Sequence, residues 1–143
     1  MIVEVTGVVA DATTPPGTIA RKVPTRQNIS LPRGEPLTIR LSVLGQDGAA
    51  YSLEEVASIK LGLRKFLDDE EPLFTKTATI TEEDDEDETV GMAEIAVDAD
   101  DTLELDEYTA YAYDIQLDDG TARYQIVPHS LLKIVPIVNR ADE

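Results

Sequence analysis

The feature that most constrains the fold is a strict alternation of large apolar residues in the last third of the chain. Tyr111, Tyr113, Ile115 and Leu117 recur at every second position, which places them on one face of an extended strand. Residues 118–120 (Asp-Asp-Gly) supply turn chemistry, because glycine takes positive φ freely and aspartate bonds its own backbone. A second extended run follows at 123–127. The unit predicts a β-hairpin whose first strand is the central strand of the fold.

The rest of the chain repeats the strand signal. Alternating or β-branched runs occupy residues 2–9, 37–43, 59–66, 74–80, 90–97, 107–117, 123–127 and 131–138. Only residues 52–56 read as a helical turn, since Ser52 is a candidate N-cap with Glu55 three positions on. Pro136 predicts that the last run is an edge strand or carries a bulge. The pattern predicts an all-β, antiparallel immunoglobulin-like sandwich of seven to eight strands.

The N-terminal quarter of the chain differs from the body. At 143 residues the chain is long enough for one domain with a real core. Prolines punctuate residues 10–34, and a segment of this length without a strand pattern is longer than most loops. We therefore divide the domain into a strand and extended arm (1–34) and a sandwich (35–143). Either the arm packs against the surface of its own chain or it docks on another subunit, and both interpretations stay open.

Charge narrows the range of partners. The chain has 29 acidic and 12 basic residues and a formal net charge of −17. Such a surface repels phosphate backbones and anionic membranes, so neither nucleic acid nor membrane is an expected partner. No apolar run reaches the ~20 residues of a spanning helix. The first residues lack the pattern of a signal peptide, so we expect synthesis in the cytoplasm.

The basic residues of the arm stand out against this acidic background. Residues 1–34 carry four basic and two acidic side chains, while the remainder carries 8 basic and 27 acidic ones. A cationic arm is attracted to acidic surface, its own or a neighbour's. The predicted partner-binding residues are Arg21, Lys22, Arg26 and Arg33.

The sequence holds no catalytic motif. His129 is the single histidine, at an expected turn between Pro128 and Ser130, and no nucleophile elbow accompanies it. Without cysteine and with one histidine, a zinc site has too few ligands. The acids lie in polar runs, where nothing raises the pKa of a carboxyl as a glycosidase acid requires. We expect that the protein is not an enzyme.

Calcium is the one metal that the acidic loops suit. Counting strands alternately places residues 45–56, 82–88 and 118–120 at one pole of the sandwich, and calcium binds clustered carboxylate oxygens. The candidate ligands are Asp84, Asp85, Asp87, Asp118 and Asp119. The alternative, which we favour, is that these loops are hydrated and that the protein needs no cofactor.

From residue 33 to 138 the order of features resembles the immunoglobulin-like domains of tailed-phage virion proteins. It is similar to the N-terminal domain of baseplate upper proteins and to small tail or head accessory proteins. The stretches that carry the resemblance are 33–35 (Arg-Gly-Glu), 45–49 (Gly-Gln-Asp-Gly-Ala), 59–64 (Ile-Lys-Leu-Gly-Leu-Arg) and 111–120 (Tyr-Ala-Tyr-Asp-Ile-Gln-Leu-Asp-Asp-Gly). The resemblance implies a structural module of the virion that contacts other virion proteins and copies of itself.

A second class of function stays open. An immunoglobulin-like adhesion or carbohydrate-binding module would also have this fold class, but a glycan site needs aromatic platforms in loops. The chain has no Trp, and of its five Tyr only Tyr51 falls in a predicted loop. We therefore favour the virion component, whether of head, neck, tail or baseplate.

Overall fold

The computed structural model describes residues 1–9, 24–45, 47–54, 56–66, 69–81 and 90–136. Within these residues the chain forms nine strands and one short helix. The elements are β1 (Ile2–Val9), β2 (Ile29–Pro32), β3 (Leu37–Gly45), β4 (Ser58–Arg64), β5 (Phe74–Thr77), β6 (Thr79–Ile80), β7 (Met92–Val97), α1 (Ala99–Leu103), β8 (Ala110–Asp118) and β9 (Arg123–Val135). The all-β prediction is confirmed.

The strands form two packed sheets. One has the order β1-β3-β7-β6 and the other the order β2-β9-β8-β4-β5. The predicted hairpin is confirmed, because β8 and β9 pair antiparallel from Ala110↔Lys133 to Asp118↔Arg123. β8 occupies the middle of the five-stranded sheet. Its alternating residues Tyr111, Tyr113, Ile115 and Leu117 are all buried, as expected of a strand that faces the core.

The prediction of purely antiparallel sheets is wrong. β1 runs parallel to β3, and β2 runs parallel to β9. Parallel neighbours need a long connection that returns the chain to the same end of the sheet. Residues 10–36 supply one between β1 and β3, whereas β2 and β9 are far apart in sequence. Both sheets are therefore mixed.

The last strand also differs from its prediction. Residues 123–135 form one continuous strand, β9, in place of two separate runs, and β9 is an interior strand with β2 outside it. Tyr113 pairs with Ser130 but Ile115 pairs with Val127, so β9 contains a bulge around Pro128. The bulge absorbs a residue without an amide donor inside the sheet. Pro136 comes directly after the strand and does not demote it to an edge.

The predicted strand 74–80 crosses from one sheet to the other. Its first part, β5, pairs with β4, and its last part, β6, pairs with β7. The amide of Ala78 still donates to the carbonyl of Ile59 at 2.8 Å, whereas that of Thr81 donates to Met92 at 3.0 Å. Residues 74–80 thus supply the edge strand on the same side of both sheets. The described residues of 52–56 contain no helix, and the short helix found among the described residues is α1.

The opposite side of the sandwich is closed by residues 24–28. The side-chain amide of Gln27 bonds both backbone groups of Thr6 on β1, accepting at 2.8 Å and donating at 2.6 Å. Its backbone amide donates to Ser130 Oγ at 2.9 Å, and its carbonyl accepts from the hydroxyl of Tyr113. This segment therefore joins the edge of the four-stranded sheet to the five-stranded sheet and leaves fewer free edge groups on β1.

Apolar side chains fill the space between the sheets. The residues with no exposed surface include Leu31, Ile39, Leu41, Ile59, Leu63, Ile95, Ile115, Leu117 and Ile126. Among the described residues the buried polar side chains are Thr102, Asp114 and Ser130. No helix in the described ranges is long and apolar enough to span a membrane.

Candidate interaction surface

The outer face of the five-stranded sheet carries a concentration of basic side chains. Lys60 and Arg64 lie on β4, and Arg123 and Lys133 lie on β9. Arg26 and Lys65 line a recess at the edge of the same face. We call these six residues the cationic face. They make up half of the 12 basic residues of the chain.

The strand period places these side chains outward. Ile59, Leu61 and Leu63 of β4 are buried in the core, so the residues between them point away from it. The cross-strand partners agree, since Lys60 pairs with Gln116 on β8 and Arg64 pairs with Ala112. On β9 the bulge near Pro128 restores the alternation that turns Leu132 and Ile134 inward and Lys133 outward.

A buried carboxylate organises the middle of this surface. Asp114 is only 3% exposed although it lies on the outer side of β8. Its carboxylate accepts hydrogen bonds from Gln116 Nε2 at 2.9 Å and Gln125 Nε2 at 3.1 Å. Arg64 Nη1 lies 3.5 Å from it, and Arg64 Nε donates to the carbonyl of Asp69 at 3.0 Å. A buried charge needs such partners, so this network is a structural part of the surface.

Three recesses run along the cationic face. The largest of the three, about 290 Å³, is lined by Arg26, Lys65 and His129 and by the apolar side chains of Phe66 and Leu131. Two smaller ones, of about 90 and 120 Å³, are adjacent along β4 and β8, because Lys60 and Gln116 line both of them; we call these two recesses together the furrow. Asp114 and Asp118 are the only acids among the described residues that line the three recesses.

Most cations of this face have no acidic partner. Within the described part of the chain, no carboxylate lies within ion-pair distance of Arg26, Lys60, Lys65 or Lys133. Arg123 has only a contact of 3.7 Å with Asp118, and its side chain is 78% exposed. In a chain with more than twice as many acids as bases, local pairing would be easy. The arrangement leaves the cations available to an external anionic group.

Two of the three basic residues elsewhere in the described chain have an acidic partner. Lys76 Nζ lies 2.7 Å from Asp101 Oδ2, and this hydrogen bond raises the pKa of Lys76. Arg40 Nε lies 3.9 Å from Glu94 Oε1 on the outer face of the other sheet. Four of the six basic residues of the cationic face, in contrast, have no acidic partner among the described residues.

The four predicted partner-binding residues have different positions. Arg26 is exposed and lines the largest recess. Arg33 bonds within its own chain: Nε and Nη2 donate to the carbonyl of Leu103 at 3.1 and 2.7 Å, and Nε also donates to Leu105 at 3.0 Å. It thus satisfies carbonyls at the end of α1. Arg21 and Lys22 lie outside the described residues, and the partner role of all four stays a prediction.

The calcium candidates that the structure describes serve a turn. Asp118 Oδ1 accepts from the amide of Gly120 at 2.8 Å. Asp119 Oδ1 accepts from the amides of Ala122 at 2.7 Å and Thr121 at 2.8 Å, which lowers the pKa of Asp119. Among the described residues there is no group of three or more acids or histidines that could hold a metal. The other candidates (Asp84, Asp85 and Asp87) lie outside the described residues, so calcium binding there stays a prediction.

His129 and Tyr108 do not occupy their predicted settings. His129 lies within β9 and not at a turn. Its neighbour Ser130 is 1% exposed, and its hydroxyl donates to the carbonyl of Pro128 and accepts from the amide of Gln27. Tyr108 precedes β8, has a φ of 61° and is 76% exposed, so the prediction that it is a strand residue is wrong.

Sequence reasoning missed the cationic face as a unit. The sequence did contain a signal for it, because several polar positions in the alternating runs of β4 and β9 are basic, namely Lys60, Arg64, Arg123 and Lys133. What the sequence did not provide was the sheet order that brings β4 and β9 to either side of β8.

Comparison with known proteins gives a fold-level result. No family model and no curated protein matches the sequence. Among solved structures the chain is similar to the N-terminal domain of phage TP901-1 ORF48, with 9% sequence identity and a TM-score of 0.48. The alignment covers 94% of this chain and 99% of that one. The fold itself defines an all-β protein of two mixed sheets.

Proposed function

We propose that the protein is a structural component of a tailed-bacteriophage virion that acts through protein–protein contacts. The observation that carries the proposal is the cationic face: six basic side chains on a sheet surface, most of them without an acidic partner in the described chain, within a protein of net charge −17. A cluster of cations without local counter-charges is complementary to an anionic surface on a partner molecule. The virion setting comes from the sequence resemblance over residues 33–138.

An immunoglobulin-like arrangement is part of the proposal. The order β3-β7-β6 opposite β9-β8-β4-β5, with β2 parallel to β9 at the edge, corresponds to the two sheets of a variable-type domain. The hydroxyl of Tyr111, near the start of β8, accepts a hydrogen bond from the amide of Asp106 at 2.8 Å. A tyrosine bonded to the backbone a few residues upstream is a recurring feature of this class. The parallel pairing of β1 with β3 is a departure from it.

A non-catalytic role is also part of the proposal. The one serine next to His129 is buried, and both hydrogen-bonding functions of its hydroxyl are engaged with the backbone. It therefore has no free proton to give to an imidazole base. The two acids that line the described recesses of the cationic face, Asp114 and Asp118, lie in different recesses, whereas a hydrolytic pair flanks a single substrate bond.

The test is the composition of the assembled particle. Virions from the phage or prophage that encodes this sequence would be purified by density gradient and analysed by quantitative mass spectrometry. We expect peptides of this chain at a fixed, symmetric copy number relative to the major capsid protein. Its presence in the lysate but not in the particles would contradict the proposal.

An adhesion or carbohydrate-binding module is the second candidate, and one observation favours it. The ring of Tyr108 is 76% exposed in a loop whose left-handed backbone holds it away from the core. Exposed aromatic faces are the usual platforms for sugar rings. Saturation-transfer NMR against a panel of host cell-wall oligosaccharides would test it, with Tyr108→Ala as the variant. Transfer that is lost in this variant would favour adhesion over a purely structural role.

A further inference from the structure

We propose that the cationic face binds the acid run of a second copy of the same chain. The acid run is the sequence Glu-Glu-Asp-Asp-Glu-Asp-Glu at residues 82–88, which lies outside the described residues. The inference deepens the proposed function by naming one protein partner, and it rests on that function only for its setting in a particle. Its test uses the purified protein alone.

Local charge supports this pairing. The cationic face holds six basic groups, while Asp114 and Asp118 are the only acids of the described ranges along its recesses. Seven consecutive acids form the densest anionic segment of the sequence. At physiological ionic strength the screening length is about 8 Å, so contact is governed by charges near the interface and not by the net charge of −17.

The dimensions agree with an extended segment. Along β4 the rows from Ser58, opposite Asp118, to Arg64 span six residue steps, or about 20 Å at the rise of a strand. Seven extended residues also span about 20 Å. The furrow between Lys60 and Gln116 follows the same direction and leads toward the recess beside Lys65. An acid run along it would have cations near both ends and in the middle.

The geometry also defines the type of assembly. The face and the acid run are different segments of one chain, so a copy can bind one neighbour through its face and another through its acid run, which is a heterologous contact. Such a contact repeats from copy to copy and produces rings or open chains, whereas a reciprocal exchange between two copies would close a two-fold dimer. Repetition of one contact around an axis is what a virion component in many copies would use.

The experiment is sedimentation velocity of the purified chain over a concentration series at 0.1 M salt. We expect concentration-dependent species larger than a dimer, and weaker association at 0.5 M salt because ion pairs are screened. Lys60→Glu should raise the dissociation constant about fivefold or more, as expected for an interfacial charge reversal. Arg40→Glu is the matched control, because it makes the same charge change at an exposed strand position on the other sheet.

A mixing experiment separates the specific contact from general charge effects. One variant carries Lys60→Glu and Arg123→Glu, and the other replaces the acids at 82–88 by their amides. Each alone should be monomeric, whereas the mixture should form heterodimers and nothing larger, since only one intact contact remains. Circular dichroism would show that both variants are folded.

Four outcomes would overturn the inference. The first is a wild-type chain that stays monomeric up to several hundred micromolar. The second is an Arg40→Glu effect as large as that of Lys60→Glu. The third is a mixture of the two variants that does not associate. The fourth is equal binding of a peptide of residues 81–89 and a single-stranded DNA of equal charge, which would make the face a general anion patch. Failure of self-association would leave the particle analysis unaffected, so the two proposals fail separately.

Discussion

Asp114→Ala is the substitution that tests the structural role of the buried network in the five-stranded sheet. The carboxylate is 3% exposed, accepts two hydrogen bonds from Gln116 and Gln125, and lies 3.5 Å from Arg64 Nη1. Its removal leaves the guanidinium of Arg64, whose side chain is 19% exposed, without its counter-charge. No other described acid lies within ion-pair distance of that guanidinium.

The expected cost follows from burial. Breaking a fully buried pair by removing one partner costs about 3–5 kcal/mol. Arg64 keeps its hydrogen bond to the Asp69 carbonyl and some contact with water, and the two glutamines are exposed and can be hydrated. We therefore expect a loss of about 2–3 kcal/mol in the free energy of unfolding, a large part of the ~5–15 kcal/mol typical of a domain.

The assay is urea denaturation followed by far-ultraviolet circular dichroism. The free energy of unfolding of Asp114→Ala is compared with that of Glu94→Ala, which removes the half-exposed partner of Arg40 at 3.9 Å. The latter should change the stability by less than about 0.5 kcal/mol. Asp114→Asn should lie between the two, because it keeps an acceptor oxygen but no charge. Equal stabilities for Asp114→Ala and Glu94→Ala would refute the reasoning.

Three further predictions concern other parts of the fold. Gly91→Ala should lower the free energy of unfolding in urea by at least about 2 kcal/mol, because φ is +79° and the added Cβ would lie 2.6 Å from a backbone oxygen of β3. Gly120→Ala, with φ +93° and no atom within 4 Å, should lower it by only about 1 kcal/mol. Burial raises the pKa of Tyr113 from 10.0 to about 12, so the folded state holds this proton more tightly than the unfolded one. The free energy of unfolding should therefore fall from pH 10 to 12. The fall should be smaller in Tyr113→Phe, and an identical pH profile for both proteins would contradict this. Arg33→Ala removes three hydrogen bonds to carbonyls at the end of α1. It should raise the rate of amide exchange near Leu103 by about tenfold, roughly 1.4 kcal/mol, with little change in β8. An equal rise of the exchange rate in α1 and β8 would contradict this.

Much of the fold was readable from local patterns, because strand period and turn chemistry are local properties. The alternation from Tyr111 to Leu117 correctly predicted a central hairpin strand. The continuous strand through Pro128 was not readable, since the bulge that accommodates it depends on its partner strand β8. Tyr108 is exposed because β8 begins only after it, and the alternation alone did not show where the strand begins.

The candidate surface was less accessible to sequence reasoning than the core. Arg33 and Arg26 lie close together in the sequence and look equivalent there. One donates to the carbonyls of Leu103 and Leu105, and the other lines an open recess. The difference comes from residues about 70 positions away that pack beside Arg33. Charge counting identified an acidic body but did not reveal that one of its faces is basic.

The sequence by itself determined which strand residues face the core, since a period of two sorts apolar from polar residues whatever sheet a strand joins. It also determined the composition of the outward positions, including the lysines and arginines of β4 and β9. Only the tertiary structure decided the parallel pairing of β1 with β3, the position of β8 between β4 and β9, and the resulting cationic face. The physical reason is that strand order depends on contacts between distant segments, which no local period encodes.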